Sequence, residues 1–178
     1  MKYNTKGFLI WLTGFSGSGK SELGKLILPQ ISKKIGKTVL INGDDLRRIF
    51  DLRGYSKKER LENAKKFFGL YKLITDQGIN VIFCVVSMFN KVRSWNKKYI
   101  NNYIEIYIKT EIKDIIKQKK KRIYFKNKKN IVGIDIKPEL PKNSDIIISN
   151  DFKKSTKEIS KELVKKIIMI YERKQKRI

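Results

Sequence analysis

The sequence predicts an α/β fold, a three-layer sandwich in which a five-stranded parallel sheet lies between helices and carries a basic lid. Three observations predict it. Short apolar runs that read as strands alternate along the chain with segments of helical period, the pattern that places helices on both faces of a parallel sheet. A glycine-rich turn joins the first apolar run to the first helical segment. Finally, 178 residues that are 40% hydrophobic suffice for one filled core and are too few for two ordinary domains, so residues 1–178 read as a single domain.

Phe8 to Thr13 is the first apolar run, and it stops at Gly14. A helical pattern begins near Gly19, with Leu23, Leu26 and Ile27 on one face. Thr38 to Ile41 reads as a second strand ending in the polar cluster Asn42, Gly43, Asp44, Asp45, and a short helix is expected over Leu46 to Phe50. Ser56 followed by Glu59 has the spacing of a capping box, so a helix is expected from there to about Gln77. Ile79 to Val86 reads as a strand buried on both faces, with Tyr103 to Ile108 and Ile146 to Ile148 as the fourth and fifth. Helices over Thr110 to about Lys120 and Ser155 to about Lys174 complete the alternation, with Glu172 to Ile178 as a frayed end. Between them, roughly 117–133 is rich in Lys around Tyr124 and Phe125 and too polar to pack into a core. It is expected to be the lid.

Composition narrows the chemistry. There is no histidine, which excludes histidine bases and the usual zinc sites and leaves acid-base work to Asp, Glu or Lys. Cys84, the single cysteine, lies in an apolar run and reads as a buried small hydrophobe, which fits a reducing cytoplasm. No apolar segment approaches the roughly 20 residues that span a bilayer, so no membrane partner is expected. The formal charge of +25 favours anionic partners. Nucleic acid is the weaker candidate among them, because the Lys residues are scattered whereas nucleic-acid recognition uses clustered Arg and stacking aromatics. An anionic nucleotide substrate is the expected partner.

The run Gly14, Phe15, Ser16, Gly17, Ser18, Gly19, Lys20, Ser21 matches Gly, four residues, Gly, Lys, Ser without deviation, between a strand and a helix. Its glycines let successive backbone N–H groups turn towards phosphate oxygens, and the helix N-terminus adds partial positive charge. Lys20 then neutralises the outer phosphates and the Ser21 hydroxyl holds Mg²⁺, so ATP and Mg²⁺ are the expected cofactors. The fold class is therefore of the P-loop NTPase type. The guanine-reading Asn-Lys-x-Asp segment of GTPases is missing, since Asn127 to Asn130 lacks its Asp. A chain this short with a basic lid is most simply a small-molecule kinase, the lid excluding water from phosphoryl transfer. Asp44, just past the second strand, is expected near the phosphate loop, as proton acceptor or Mg²⁺ positioner; a helix cap is the plainer reading, and Asp45 suits that role better.

With these residues in place, the chain resembles the adenylylsulfate kinase family, which phosphorylates the ribose 3′-hydroxyl of adenosine 5′-phosphosulfate with MgATP. The resemblance runs from Gly7 through Trp11 into the loop, through Gly43-Asp44 with Arg47, Gly54-Tyr55-Ser56, Glu59-Arg60 and Glu62-Asn63, to Ser87, Arg93, Tyr124 and Gly133-Ile134-Asp135 with Pro138 and Pro141. It implies that Asp44 and Lys20 are catalytic and that Arg47, Arg60 and Asn63 hold the acceptor's anion and ribose. It further implies that Tyr55 stacks on the acceptor base, that Ser87, Ile131, Gly133, Ile134 and Asp135 complete the acceptor site, and that a homodimer is the default assembly.

The departures from the family pattern cluster on the acceptor side. Asn42 replaces an Asp, Lys65-Lys66 a double Arg, and Ser87-Met88-Phe89-Asn90 a Ser-Pro-Tyr-Arg segment; Gln118-Lys119 replaces an Arg-Asp. Ile131 replaces the Phe that covers the second face of adenine. An intact donor loop beside a changed acceptor site points to a different acceptor. A branch of the family phosphorylates cytidine diphosphoramidate in capsule phosphoramidate biosynthesis, and a pyrimidine tolerates the loss of one stacking face. That acceptor is the expectation, with adenylyl sulfate as the alternative.

Overall fold

The predicted alternation is realised as one five-stranded, wholly parallel sheet in the order β2-β3-β1-β4-β5. The computed structural model describes residues 6–118 and 129–176. The strands are β1 (Leu9–Thr13), β2 (Thr38–Asn42), β3 (Asn80–Val85), β4 (Tyr103–Lys109) and β5 (Ile146–Ser149), each within two residues of its expected bounds. The helices are α1 (Lys20–Ile35), α2 (Gly43–Ile49), α3 (Lys57–Asp76), α4 (Asn90–Tyr99), α5 (Ile112–Lys117) and α6 (Thr156–Gln175). No described helix is long and apolar enough to cross a membrane.

Every residue of β1 is buried, so alternation is invisible in its composition yet decides its packing. Leu9 and Trp11 face an aromatic-rich layer with Phe67, Tyr71, Phe83 and Phe89, under α2, α3 and α4. Ile10 and Leu12 face an aliphatic layer with Leu23, Ile27, Leu163 and Ile167 from α1 and α6. The Trp11 ring meets Phe83 at 5.1 Å and Tyr71 edge-on at 5.7 Å. Truncating such a buried ring costs about 3–5 kcal/mol, so Trp11 anchors that layer.

The helix starts follow local chemistry. The capping box of α3 is present: the Ser56 hydroxyl accepts from Glu59 N at 3.3 Å and Glu59 Oε2 accepts from Ser56 N at 2.9 Å. The same arrangement of Ser155 and Glu158 starts α6, which runs to Gln175, one residue past the expected end near Lys174.

The structure departs from the sequence reading at three points. First, α2 begins at Gly43, not Leu46, so Asp44 and Asp45 lie inside its first turn. Asp45 is not the cap: Asn42 holds that position, and Asp45 accepts from Asn42 Nδ2 at 3.0 Å and pairs with Arg48 at 3.0 Å. Second, α4 was not anticipated. Third, α5 ends at Lys117, and most of the expected lid, with Tyr124 and Phe125, lies outside the described residues.

A buried polar cluster locks α4 onto the sheet. The Arg93 guanidinium, 5% exposed, lies 3.8 Å from Glu105 on β4 and donates to the Glu139 carbonyl at 2.6 Å. Glu105 is 1% exposed and accepts from Ser144 Oγ at 2.8 Å. Burial lowers the guanidinium's affinity for its proton, and the Glu105 carboxylate opposes that shift. Arg93→Ala would leave Glu105 buried with less compensation, and is expected to destabilise the protein by about 3 kcal/mol. Arg93→Met combined with Glu105→Met is expected to recover part of that loss in a urea melt, because the uncompensated charge is gone.

Candidate active site

The connections from β1 run towards β2 on one side and the chain crosses to β4 on the other, so the strand order reverses beside β1. A parallel sheet opens a crevice at the carboxyl ends there. A cleft of about 420 Å³ occupies that position. It is walled by the turn after β1, the first turn of α2, the end of β3, the start of α3 and the segment at 131–132.

The turn after β1 is built as its glycines require. Gly17 and Gly19 have φ of 86° and 92°, the left-handed region that other residues avoid. Ser16, Gly17, Gly19, Lys20 and Ser21 line the cleft. Gly14, Phe15 and Ser18 do not, and their roles are supporting ones. The Phe15 ring is 8% exposed in the core. A Cβ at Gly133, whose φ is +96°, would meet that ring at 2.6 Å, so the 131–136 turn sits directly on the phosphate loop's own side chain. The Lys20 ammonium donates to the Phe15 carbonyl at 2.6 Å and to Ser18 Oγ at 3.3 Å, which holds it at the loop. Beneath it, the Cys84 thiol donates to the Lys20 carbonyl at 3.3 Å, and burial pushes that thiol up to about 12. Cys84 therefore supports the loop and stays protonated, as its apolar setting in the sequence implies.

Across the end of β3, the exposed Asp44 lines the same cleft. The first turn of α2 can lie this close because Gly43 faces Val85: an added Cβ would stand 2.9 Å from Val85 Cγ2. Arg47, in the last turn of α2, donates to the carbonyls of Leu52 at 3.0 Å and Gly54 at 2.7 Å. Its guanidinium sits 4.3 Å from the centre of the Tyr55 ring, and that of Arg60 sits 5.2 Å away. Arg60 also donates to the Tyr55 carbonyl at 2.8 Å and to the Asn130 carbonyl at 3.0 Å, so it ties the Tyr55 wall to the segment that carries Ile131. Burial and the neighbouring Arg47 lower the Arg60 guanidinium to about 10, against a smaller opposing pull from Tyr55 and Asp44. Two adjoining guanidinium groups are a ready site for a multi-oxygen anion.

Asp44, Arg47, Tyr55, Arg60, Ser87 and Ile131 thus meet in one cleft with the phosphate loop. Other expected acceptor residues do not reach it. Asn63 is buried on α3 and is not among the lining residues, because it lies on the helix face turned to the core. Asp135 accepts from its own loop at Ile131 N, 2.9 Å away, and Ile134 is 54% exposed on the outer surface. Together with Gly133 they shape the turn that positions Ile131 and Val132. The apolar floor of Trp11, Ala64, Phe67 and Phe89 was not anticipated as part of the site; the side chains read as ordinary core in the sequence.

Ser21 and Asp44 supply hard oxygen donors on the wall of the cleft, the ligand type that Mg²⁺ prefers. The arrangement provides an anion cradle, a carboxylate and a second cationic site within one cleft, which suits transfer of a phosphoryl group between two anionic molecules.

Comparison with known proteins agrees. A family model described as adenylylsulphate kinase matches residues 6–149. The cytidine diphosphoramidate kinase of Campylobacter jejuni subsp. jejuni serotype O:2 is 34% identical over 166 residues, covering 91% of this chain and 97% of that protein. The adenylyl-sulfate kinase of Thermodesulfovibrio yellowstonii is 36% identical over 156 residues, covering 82% and 76%. Among solved structures, the Mycobacterium tuberculosis APS kinase in complex with AMPPNP and APS superposes with a TM-score of 0.81 at 27% identity, covering 92% of this chain and 98% of that one.

Proposed function

The chain belongs to the adenylylsulphate kinase family, an ATP-dependent family of phosphotransferases with a hydroxyl acceptor, and from that premise we propose that it phosphorylates the ribose 3′-hydroxyl of cytidine diphosphoramidate. The observation that carries this reading is Ile131. It is 5% exposed, lines the cleft, and is coupled through Arg60 to the Tyr55 wall. An aliphatic side chain there offers packing but no second aromatic face, and a pyrimidine, with its smaller ring, loses less by that than adenine does. The 34% identical Campylobacter relative supports the same acceptor, and capsule biosynthesis would be the setting.

In this reading the loop Gly14 to Ser21 binds the ATP phosphates and Lys20 faces the transferring group. Ser21 would hold Mg²⁺, with Asp44 as a further oxygen donor beside it, and the ion would offset charge between the β- and γ-phosphates. Arg47 and Arg60 hold the acceptor's diphosphoramidate, Tyr55 its base, and Asp44 aligns its 3′-hydroxyl and takes the proton. The lid, roughly 117–133, would cover the cleft during transfer and keep water from the γ-phosphate. A cytoplasmic setting goes with this reading, since ATP is supplied there. Family membership also supports a homodimer, which light scattering would test.

ADP release from MgATP, with cytidine diphosphoramidate and adenylyl sulfate offered in parallel, tests the acceptor. The expected result is a higher kcat/KM for the cytidine compound. Ile131→Phe is expected to shift the ratio towards adenylyl sulfate by about tenfold, the size of one base stack. Preference of the unaltered protein for adenylyl sulfate would overturn the proposal and make Ile131 and Asn42 tolerated replacements in an adenylylsulfate kinase.

A further inference from the structure

A second groove lies between α3 and α4 and shares no lining residue with the catalytic cleft. Lys65 and Phe68 form one side, and Lys91, Trp95 and Tyr99 the other, around about 420 Å³. Trp95 is half-buried and Tyr99 is 51% exposed. The Lys65 and Lys91 ammonium groups stand 5.9 and 5.6 Å from the centre of the Trp95 ring, and Lys98 stands 5.2 Å from that of Tyr99. Phe68 meets Tyr99 edge-on at 6.0 Å and braces it. The sequence scatters these residues over 35 positions; the packing of α3 on α4 gathers them.

Solvent-facing aromatic rings flanked by ammonium groups fit a ligand that is flat and aromatic at one end and anionic at the other. A second copy of this chain does not fit, because a two-fold contact would set Lys65, Lys91 and Lys98 against the same groups of the partner. A nucleic-acid strand fits less well than a single unit, since successive bases need a track of stacking platforms and this groove is one platform long. We propose that the α3–α4 groove binds a free mononucleotide, its base stacked on Trp95 or Tyr99 and its phosphate paired with Lys65 and Lys91, separately from the site of phosphoryl transfer.

Tryptophan emission reads both sites, because Trp95 lies in the groove while Trp11 is part of the floor of the catalytic cleft, and removing Trp95 tells them apart. Titrating the Lys20→Ala protein with adenosine or cytidine monophosphate is expected to give saturable quenching that weakens as salt rises. Adding Trp95→Phe is expected to abolish that signal. Adding Lys91→Glu, an exposed substitution that spares the fold, is expected to weaken the apparent affinity about tenfold, the scale of reversing a phosphate contact. In the otherwise unaltered enzyme, Lys91→Glu should leave the rate of ADP release intact. Quenching that survives both substitutions would put the nucleotide in the catalytic cleft and overturn the proposal. So would quenching by oligonucleotides alone, which makes the occupant a strand, or a concentration-dependent dimer lost on Trp95→Phe, which makes it a second copy. Absence of any quenching would overturn it outright.

Discussion

Lys20→Ala is expected to lower kcat/KM for ADP release by about 10³-fold, the scale of removing one preorganised charge from a site where negative charge develops. The ammonium is held at the loop before any nucleotide arrives, by the Phe15 carbonyl at 2.6 Å and Ser18 Oγ at 3.3 Å. Little reorganisation is therefore needed when phosphate binds, and the whole charge is available to the transferring group. The substitution also leaves the Phe15 carbonyl without that donor, so some loss of stability, about 1 kcal/mol, accompanies it. A thermal melt separates the two effects. A protein that melts within a few degrees of the unaltered one and has lost turnover reports the chemistry. A protein that keeps turnover within tenfold would mean that the glycine loop and helix N-terminus suffice, and that Lys20 is structural.

How much of this could be read in advance differs by element, for physical reasons. The phosphate loop was fully legible, because left-handed backbone at Gly17 and Gly19 demands glycine and so writes the geometry into the residue types. The strands were legible as apolar runs, but which strand neighbours which is not: β2 and β3 both present apolar residues on each face, and nothing local says that β3 lies next to β1. The helix α4 was invisible because its buried residues include Arg93 and Asn96 alongside Val92, so its helical period is carried by polar side chains that look solvent-facing in a sequence. Asn96 is paid into the core by the Tyr71 hydroxyl, which donates to it at 2.6 Å, and that partner lies on another helix. Gly43-Asp44-Asp45 reads as a turn, yet it opens α2 because the glycine is needed against Val85. On the acceptor side, the resemblance implied that Asp135 and Ile134 belong to the acceptor site, whereas neither lines the cleft and both lie in the turn that follows Ile131.

Asp44→Asn is expected to reduce kcat by about 10²–10⁴-fold while leaving the KM for ATP within a few-fold, the signature of losing a proton acceptor and not a binding contact. The expectation rests on placement. Asp44 lines the cleft in the first turn of α2, within electrostatic reach of Arg60, whose guanidinium it helps to keep protonated. Its neighbour Asp45 is occupied elsewhere, with Asn42 and Arg48 at 3.0 Å each. Asp45→Asn is therefore the control for the plainer reading, in which a carboxylate here merely complements the helix N-terminus. That role is worth about 0.3–1 kcal/mol of stability and nothing in kcat, and either residue could fill it. If both substitutions cost the same small amount of stability and neither changes kcat, Asp44 is a helix-terminal charge and the transfer needs another proton acceptor, for which Glu22 is the other carboxylate lining the cleft among the described residues. If only Asp44→Asn loses turnover, the proton leaves the acceptor hydroxyl through Asp44, and the loss should be the same for whichever nucleotide the enzyme prefers, because the 3′-hydroxyl is common to both.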